Sequence, residues 1–68
     1  MFEEYEHVKM KNRNLTGTIV HKYDLDGKIW YMVESDMQGP IEGGYGDLWP
    51  LFDCTDEDLE RVPESRVS

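Results

Sequence analysis

GTIVHKYDLDGKIWYMVE, residues 17–34, is the stretch that decides the fold of this chain. Residues 17–23 and 28–34 are rich in β-branched and aromatic side chains, which pack well on a pleated sheet. The polar segment 24–27 lies between them and ends in Gly27, which suits a hairpin whose last loop residue needs a positive φ. The stretch therefore predicts two antiparallel strands joined by a turn.

Three further strands are expected on either side of this hairpin. From His7 onward apolar and basic residues alternate, a pattern typical of a half-buried strand. Residues 48–52 are apolar and β-like, but Pro50 cannot donate to a ladder of hydrogen bonds, so this strand is predicted at a sheet edge or beside a bulge. Residues 59–62 are predicted to form a short closing strand.

Two irregular segments are expected in the second half of the chain. Residues 35–47 hold four of the six glycines and predict a long loop, with a short irregular strand around Ile41. Further on, Thr55 can cap a helical turn, and Asp58 can complete a capping box with it. Because Pro63 follows closely, we expect a single turn of 3₁₀ type.

This order of elements resembles the SH3-like small β-barrels, which include the KOW and Tudor groups and several small bacterial domains of unknown function. The resemblance implies an all-β fold, a five-stranded SH3-like barrel with one 3₁₀ turn before the last strand. The chain lacks the basic surface of KOW domains and the ALYDY-type signature of eukaryotic peptide-binding SH3 domains. The likeness is carried by residues 17–20, 30–34 and 56–62.

The length of 68 residues predicts one domain, 1–68. Its core is expected over residues 7–62, with loose termini at 1–6 and 63–68. A single cysteine excludes an internal disulfide, so stability has to come from packed apolar side chains and backbone hydrogen bonds. No run of 18 apolar residues is present, and the acidic N-terminus lacks the apolar stretch of a signal peptide. These features predict a cytoplasmic protein that does not enter a membrane.

The net charge of −8 is large for this length and unevenly distributed. Residues 1–34 carry six acids and five bases, whereas residues 35–68 carry nine acids and two bases. Such a field repels the phosphates of nucleic acids and attracts basic surfaces. We therefore expect a protein partner, a basic one, and no direct contact with nucleic acid.

A candidate binding site consists of four apolar side chains, which we call the aromatic platform. If Tyr31 faces the interior, then the period of two along a strand places Trp30 and Met32 outside. Together with residues of the glycine-rich segment they would suit a basic or proline-rich peptide, a cation or a protein surface. The alternative is that Phe2, Tyr5 or the loop 36–47 covers them. The platform comprises Trp30, Met32, Tyr45 and Trp49.

A second candidate site is acidic and lies between residues 53 and 60, where no base interrupts the carboxylates. It is predicted either to dock a basic protein groove or to mimic the phosphates of a nucleic acid. The alternative is that these side chains only cap the helical turn and keep the chain in solution. The residues are Asp53, Asp56, Glu57, Asp58 and Glu60.

Catalytic and metal-binding patterns are weak. His7, His21 and Cys54 do not fall at the spacings of a zinc site, so no metal and no cofactor is predicted. Carboxylates close to Cys54 in sequence disfavour its thiolate, which argues against a reactive nucleophile. We therefore expect no enzymatic activity.

Three functional hypotheses follow from these residues. The first is a small acidic, non-catalytic module that binds a basic or peptide partner through its aromatic side chains. The second is an inhibitor of phage or mobile-element type, which mimics nucleic acid and blocks a DNA- or RNA-binding machine. The third is a structural or oligomerisation domain. The oligomeric state is left open by the sequence.

Overall fold

The computed structural model of this chain describes residues 1–37, 41–46 and 50–62, and it is an all-β structure. Five antiparallel strands form one sheet in the order β4-β3-β2-β1-β5, and a single 3₁₀ turn precedes the last strand. The predicted strand count and 3₁₀ turn are therefore confirmed. The elements are β1 (His7–Met10), β2 (Leu15–Leu25), β3 (Lys28–Ser35), β4 (Leu51–Cys54), the 3₁₀ turn (Asp56–Asp58) and β5 (Leu59–Arg61).

The sheet does not close, so the predicted barrel is not confirmed. Within the described residues β4 pairs along its length with β3, and β5 pairs with β1. The 3₁₀ turn carries the chain from one edge of the sheet to the other without a hydrogen-bonded ladder between these two strands. Pro50 lies directly before β4, and the prediction of an edge strand there is confirmed.

The central hairpin has a tighter turn than the sequence predicts. Leu25 pairs with Lys28, which leaves only Asp26 and Gly27 as the loop. Their φ angles are 55° and 81°, and a two-residue turn with both φ values positive matches the right-handed twist of the flanking strands. β2 therefore extends to Leu25, and the predicted positive φ of Gly27 is confirmed.

One extra residue in β2 changes which side chains share a face of the sheet. Ile19 pairs with Val33, but the next pair along the ladder joins His21 to Met32, so Val20 forms a β-bulge. Odd-numbered residues of β2 face the core before the bulge and the opposite side after it, because a shift of one residue reverses the face.

The core lies on one face of the sheet, which we call the core face. Tyr31 and Val33 are completely buried there, in agreement with the predicted alternation of β3. Position 17 requires glycine, because a Cβ there would overlap the backbone carbonyl oxygen of Glu34. Burying each large apolar side chain contributes roughly 1.5–3 kcal/mol. The core residues are Phe2, Val8, Met10, Ile19, Tyr31, Val33, Phe52, Cys54 and Leu59.

The N-terminal segment is anchored, whereas the sequence predicts that residues 1–6 are loose. Phe2 is buried, and its ring meets the ring of Tyr31 edge-on at a centroid distance of 5.7 Å. Its backbone N–H donates to the Tyr31 hydroxyl (3.1 Å), and the guanidinium of Arg61 lies 4.9 Å from the Phe2 ring centroid. A core this small gains from one more aromatic ring. The predicted loose tail, 63–68, lies outside the described residues.

The described part of the 35–47 loop contains no strand around Ile41, which corrects that prediction. Instead Tyr45 forms an isolated β-bridge with Leu51, in which each backbone N–H donates to the carbonyl oxygen of the other residue. The side chain of Arg13 donates to the carbonyl oxygen of Glu42 (3.0 Å) and so ties this loop to the turn after β1. These contacts place Tyr45 beside β4.

Candidate functional site

Trp30 and Met32 lie on the side of β3 opposite to the core, as the sequence predicts. We call this side of β2, β3 and β4 the outer face. Cross-strand partners point to the same side of a sheet, so Tyr23, which pairs with Trp30, and Asp53, which pairs with Met32, also lie on the outer face. Both Trp30 and Met32 are half-buried.

A carboxylate lies among these side chains and accepts a tyrosine hydroxyl. The hydroxyl of Tyr45 donates to Asp53 Oδ1 at 2.8 Å. Burial, the hydrogen bond to Asp53 and its negative charge raise the pKa of Tyr45 to about 12. The pKa of Tyr23 is raised by burial and by the charge of Asp53. Both hydroxyls therefore stay protonated at neutral pH, and the carboxylate is fixed in position.

Two further side chains extend the outer face along the hairpin. The ring of His21 stacks on that of Tyr23, with centroids 5.7 Å apart and planes inclined by 18°. At the hairpin end, Lys28 Nζ lies 5.6 Å from the centroid of the Trp30 ring. The set of rings, thioether and carboxylate is called the outer-face patch below. It comprises His21, Tyr23, Trp30, Met32, Tyr45 and Asp53.

The aromatic residues of the N-terminal segment do not cover Trp30, although Glu4 of that segment reaches the patch, with its Oε2 3.7 Å from His21 Nδ1. Phe2 lies in the core on the other side of the sheet, so this residue cannot cover Trp30. Tyr5 is 74% exposed and buries little surface against any neighbour. Of the loop, Tyr45 contributes to the patch itself and remains 39% exposed. The fourth member of the predicted aromatic platform, Trp49, lies outside the described residues.

The acids between residues 53 and 60 have different partners in the structure. Only Asp53 belongs to the outer-face patch. Asp56 accepts a hydrogen bond from the buried hydroxyl of Tyr31 (2.9 Å). Glu60 lies on β5 opposite Lys9, with Glu60 Oε2 and Lys9 Nζ 3.9 Å apart.

The remaining two acids lie in the 3₁₀ turn. Asp58 Oδ2 accepts hydrogen bonds from the backbone N–H of Thr55 (2.9 Å) and from its hydroxyl (3.1 Å). This is the predicted interaction of the capping pair, and it accounts for Asp58 without a partner protein. Glu57 is exposed on the turn.

Cys54 is buried and its surroundings keep it protonated. Burial and the charges of Asp58 and Asp53 raise the pKa of its thiol to about 11. Beside it lies a cavity of about 180 Å³ whose lining includes Met10, Arg13 and Phe52. The guanidinium of Arg13 lies over the Phe52 ring, 4.5 Å from its centroid. In the part of the chain that the structure describes, no cluster of three metal-ligating side chains occurs.

His21 and Tyr23 are the members of the outer-face patch that sequence reasoning missed. A signal for them existed in the dipeptide Asp26-Gly27, which is the strongest short-range indicator of a two-residue hairpin turn. Counting pairs outward from such a turn places Tyr23 opposite Trp30, and His21 opposite Met32. The predicted four-residue loop concealed this register.

Comparison with protein-family models, curated proteins and solved structures gave no match to this chain. Among the described residues, no helix has the length and apolar character needed to cross a membrane.

Proposed function

We propose that this chain is a small acidic, non-catalytic protein-interaction module that binds a basic segment of a partner protein through the outer-face patch. The observation that carries the proposal is that Tyr23, Trp30, Met32 and Tyr45 share one face of the sheet with the Asp53 carboxylate. They lie on the face of the sheet that the core does not use. We also propose that the fold is related to the SH3-like domains. The strand order, in which β1 lies between β2 and β5, supports this relation.

The physical properties of the patch suit a cationic, partly apolar ligand. Aromatic rings attract cations through the negative potential of their faces and also bury the alkyl chains of lysine and arginine. Tyrosine and tryptophan are enriched at the energetically dominant positions of protein interfaces. Asp53 supplies a fixed negative charge among them, and the net charge of −8 draws a basic partner toward the surface.

A titration with a synthetic peptide tests the proposal. The probe is a ten-residue peptide of alternating arginine and serine, added to ¹⁵N-labelled protein and followed by NMR. We expect the largest shifts at residues of the outer-face patch, and an affinity that falls as salt rises.

Two variants and one control locate the site. Trp30→Leu and Asp53→Asn are each expected to weaken binding by about tenfold or more, as for central interface residues. Asp26→Asn makes the same change of charge at the hairpin turn, where asparagine also tolerates a positive φ, and should leave affinity within about twofold. Equal binding by all variants would exclude the patch.

The two other hypotheses from the sequence stay predictions. A nucleic-acid mimic should be displaced from its target by the oligonucleotide that the target binds, whereas an interaction module should not. Asp56, Asp58 and Glu60 each have a partner within the chain, and this offers no support for mimicry. An oligomerisation domain should show a molecular mass that rises with concentration in light scattering.

A further inference from the structure

The outer-face patch already holds a cation, and that cation belongs to the chain itself. Lys28 Nζ lies 5.6 Å from the centroid of the Trp30 ring, within the distance at which an ammonium is attracted by an indole face. The two residues are two positions apart on β3, so their side chains leave the same face of the sheet. The free protein therefore shows that the Trp30 ring accepts a positive charge.

We propose that Lys28 occupies, in the free protein, the site on Trp30 that an arginine side chain of the basic partner takes in the complex. This inference rests on the proposed function and adds to it both the residue type that is recognised and an internal competitor. Binding then exchanges one cation for another on the same ring. Lys28 lowers the apparent affinity by the free energy of its own contact with Trp30.

Arginine fits this site better than lysine does. Its guanidinium is planar, stacks on aromatic rings and is less strongly hydrated than an ammonium. Asp53 is a diagonal cross-strand neighbour of Trp30, and such positions are roughly 7–8 Å apart. One oxygen of Asp53 accepts the Tyr45 hydroxyl, and a carboxylate has further lone pairs for a second donor. An arginine on Trp30 can therefore also reach this carboxylate.

Lys28 is well placed to leave the ring. It is the first residue of β3, next to the two-residue turn, and it is exposed. The same residue lines a shallow cavity of about 290 Å³ together with Asp56 and Glu57. The displaced ammonium enters water at an exposed position, so the exchange leaves no charge buried without a partner.

The experiment compares two lysine variants with the same arginine–serine peptide. Lys28→Gln removes the competing cation, whereas Lys11→Gln removes one positive charge from the exposed turn after β1 and serves as the control. An exposed contact of this kind contributes enough to change an equilibrium constant by about two- to fivefold. We expect Lys28→Gln to bind the peptide about two- to fivefold more tightly than Lys11→Gln does.

A second readout follows Lys28 directly. Because Lys28 Nζ lies over the Trp30 ring, we expect the side-chain methylene protons of Lys28 to show upfield ring-current shifts in the free protein. These shifts should be absent in Trp30→Leu, and they should move toward random-coil values when the peptide is added to the wild-type protein.

The outcomes separate this inference from the proposed function. If both lysine variants gain affinity equally while Trp30→Leu and Asp53→Asn lose it, the internal competitor is refuted and the binding surface stands. Unchanged methylene shifts at saturating peptide refute the exchange in the same way. If the peptide binds neither the wild-type protein nor Lys28→Gln, both the inference and the proposed function are refuted.

Discussion

Removing one buried hydroxyl, by Tyr31→Phe, tests how the N-terminal segment is attached to the sheet. Tyr31 is completely buried, and its hydroxyl donates to Asp56 Oδ1 at 2.9 Å while it accepts the backbone N–H of Phe2 at 3.1 Å. The substitution removes a hydrogen bond to a carboxylate and leaves the Phe2 N–H without its acceptor. Each effect costs about 1–3 kcal/mol when the group is buried.

The carboxylate of Asp56 is half exposed and regains water when the hydroxyl is lost, so its share lies at the lower end of that range. We expect the free energy of unfolding to fall by about 2 kcal/mol in total. For a domain of this length, whose whole stability is roughly 3–10 kcal/mol, the loss is large.

Urea unfolding followed by tryptophan fluorescence measures this change. Tyr5→Phe is the matched control, because it deletes the same hydroxyl from a tyrosine that is 74% exposed, and we expect it to stay within about 0.5 kcal/mol of wild type. Amide exchange should also accelerate at Phe2 in the Tyr31 variant and not in the control. Equal stability of the two variants would refute the role assigned to the Tyr31 hydroxyl.

Three further predictions concern single side chains. Hydrogen bonds from His7 and Thr16, each at 2.7 Å, lower the pKa of Asp36 below its usual 3.8. The Asp36 carboxylate therefore stabilises the fold fully above pH 3.8, and this stabilisation is lost as the pH falls through the lowered pKa of the folded state. In acid unfolding, Asp36→Asn should lack the loss of stability that comes from protonating Asp36. Arg13→Ala should lower the free energy of unfolding by about 1 kcal/mol and accelerate amide exchange in residues 41–46. Equal amide protection in the variant and the wild-type protein would contradict the role of the Arg13–Glu42 hydrogen bond in holding this loop. The thiol of Cys54, with a pKa of about 11, should react with an alkylating reagent at neutral pH much faster in the unfolded protein than in the native one; rapid native labelling would contradict its burial.

The parts of the fold that sequence reasoning predicted well are those set by neighbouring residues. The apolar alternation from Val8 to Met10 and the β-rich run of β3 predict strands because a pleated strand repeats every two residues. Pro50 predicts an edge because it has no N–H to donate. The capping pair of Thr55 and Asp58 was visible for the same reason, since its two members are three residues apart.

The parts that sequence reasoning missed depend on contacts between distant segments. Phe2 is anchored by Tyr31, which lies 29 residues away, and no local pattern in an acidic lead-in indicates that contact. Sequence reasoning also missed that β4 and β5 do not pair with each other. Closure of the sheet into a barrel depends on how far apart these two edge strands lie in space. The acids between residues 53 and 60 are adjacent in sequence, yet the turn directs them to different partners.

The same distinction between local pattern and distant contacts applies to the candidate site. That Trp30 and Met32 oppose Tyr31 was determined by the sequence alone, because adjacent residues of a strand point to opposite faces. That Tyr23 and Asp53 surround them was decided by the tertiary structure, through the strand register and the hydrogen bond from Tyr45 across the loop. A single extra residue, Val20, shifts the ladder of β2 between its two halves. The physical reason is that side-chain direction is a local property of the backbone, whereas register is fixed by pairing free energies summed over whole strands.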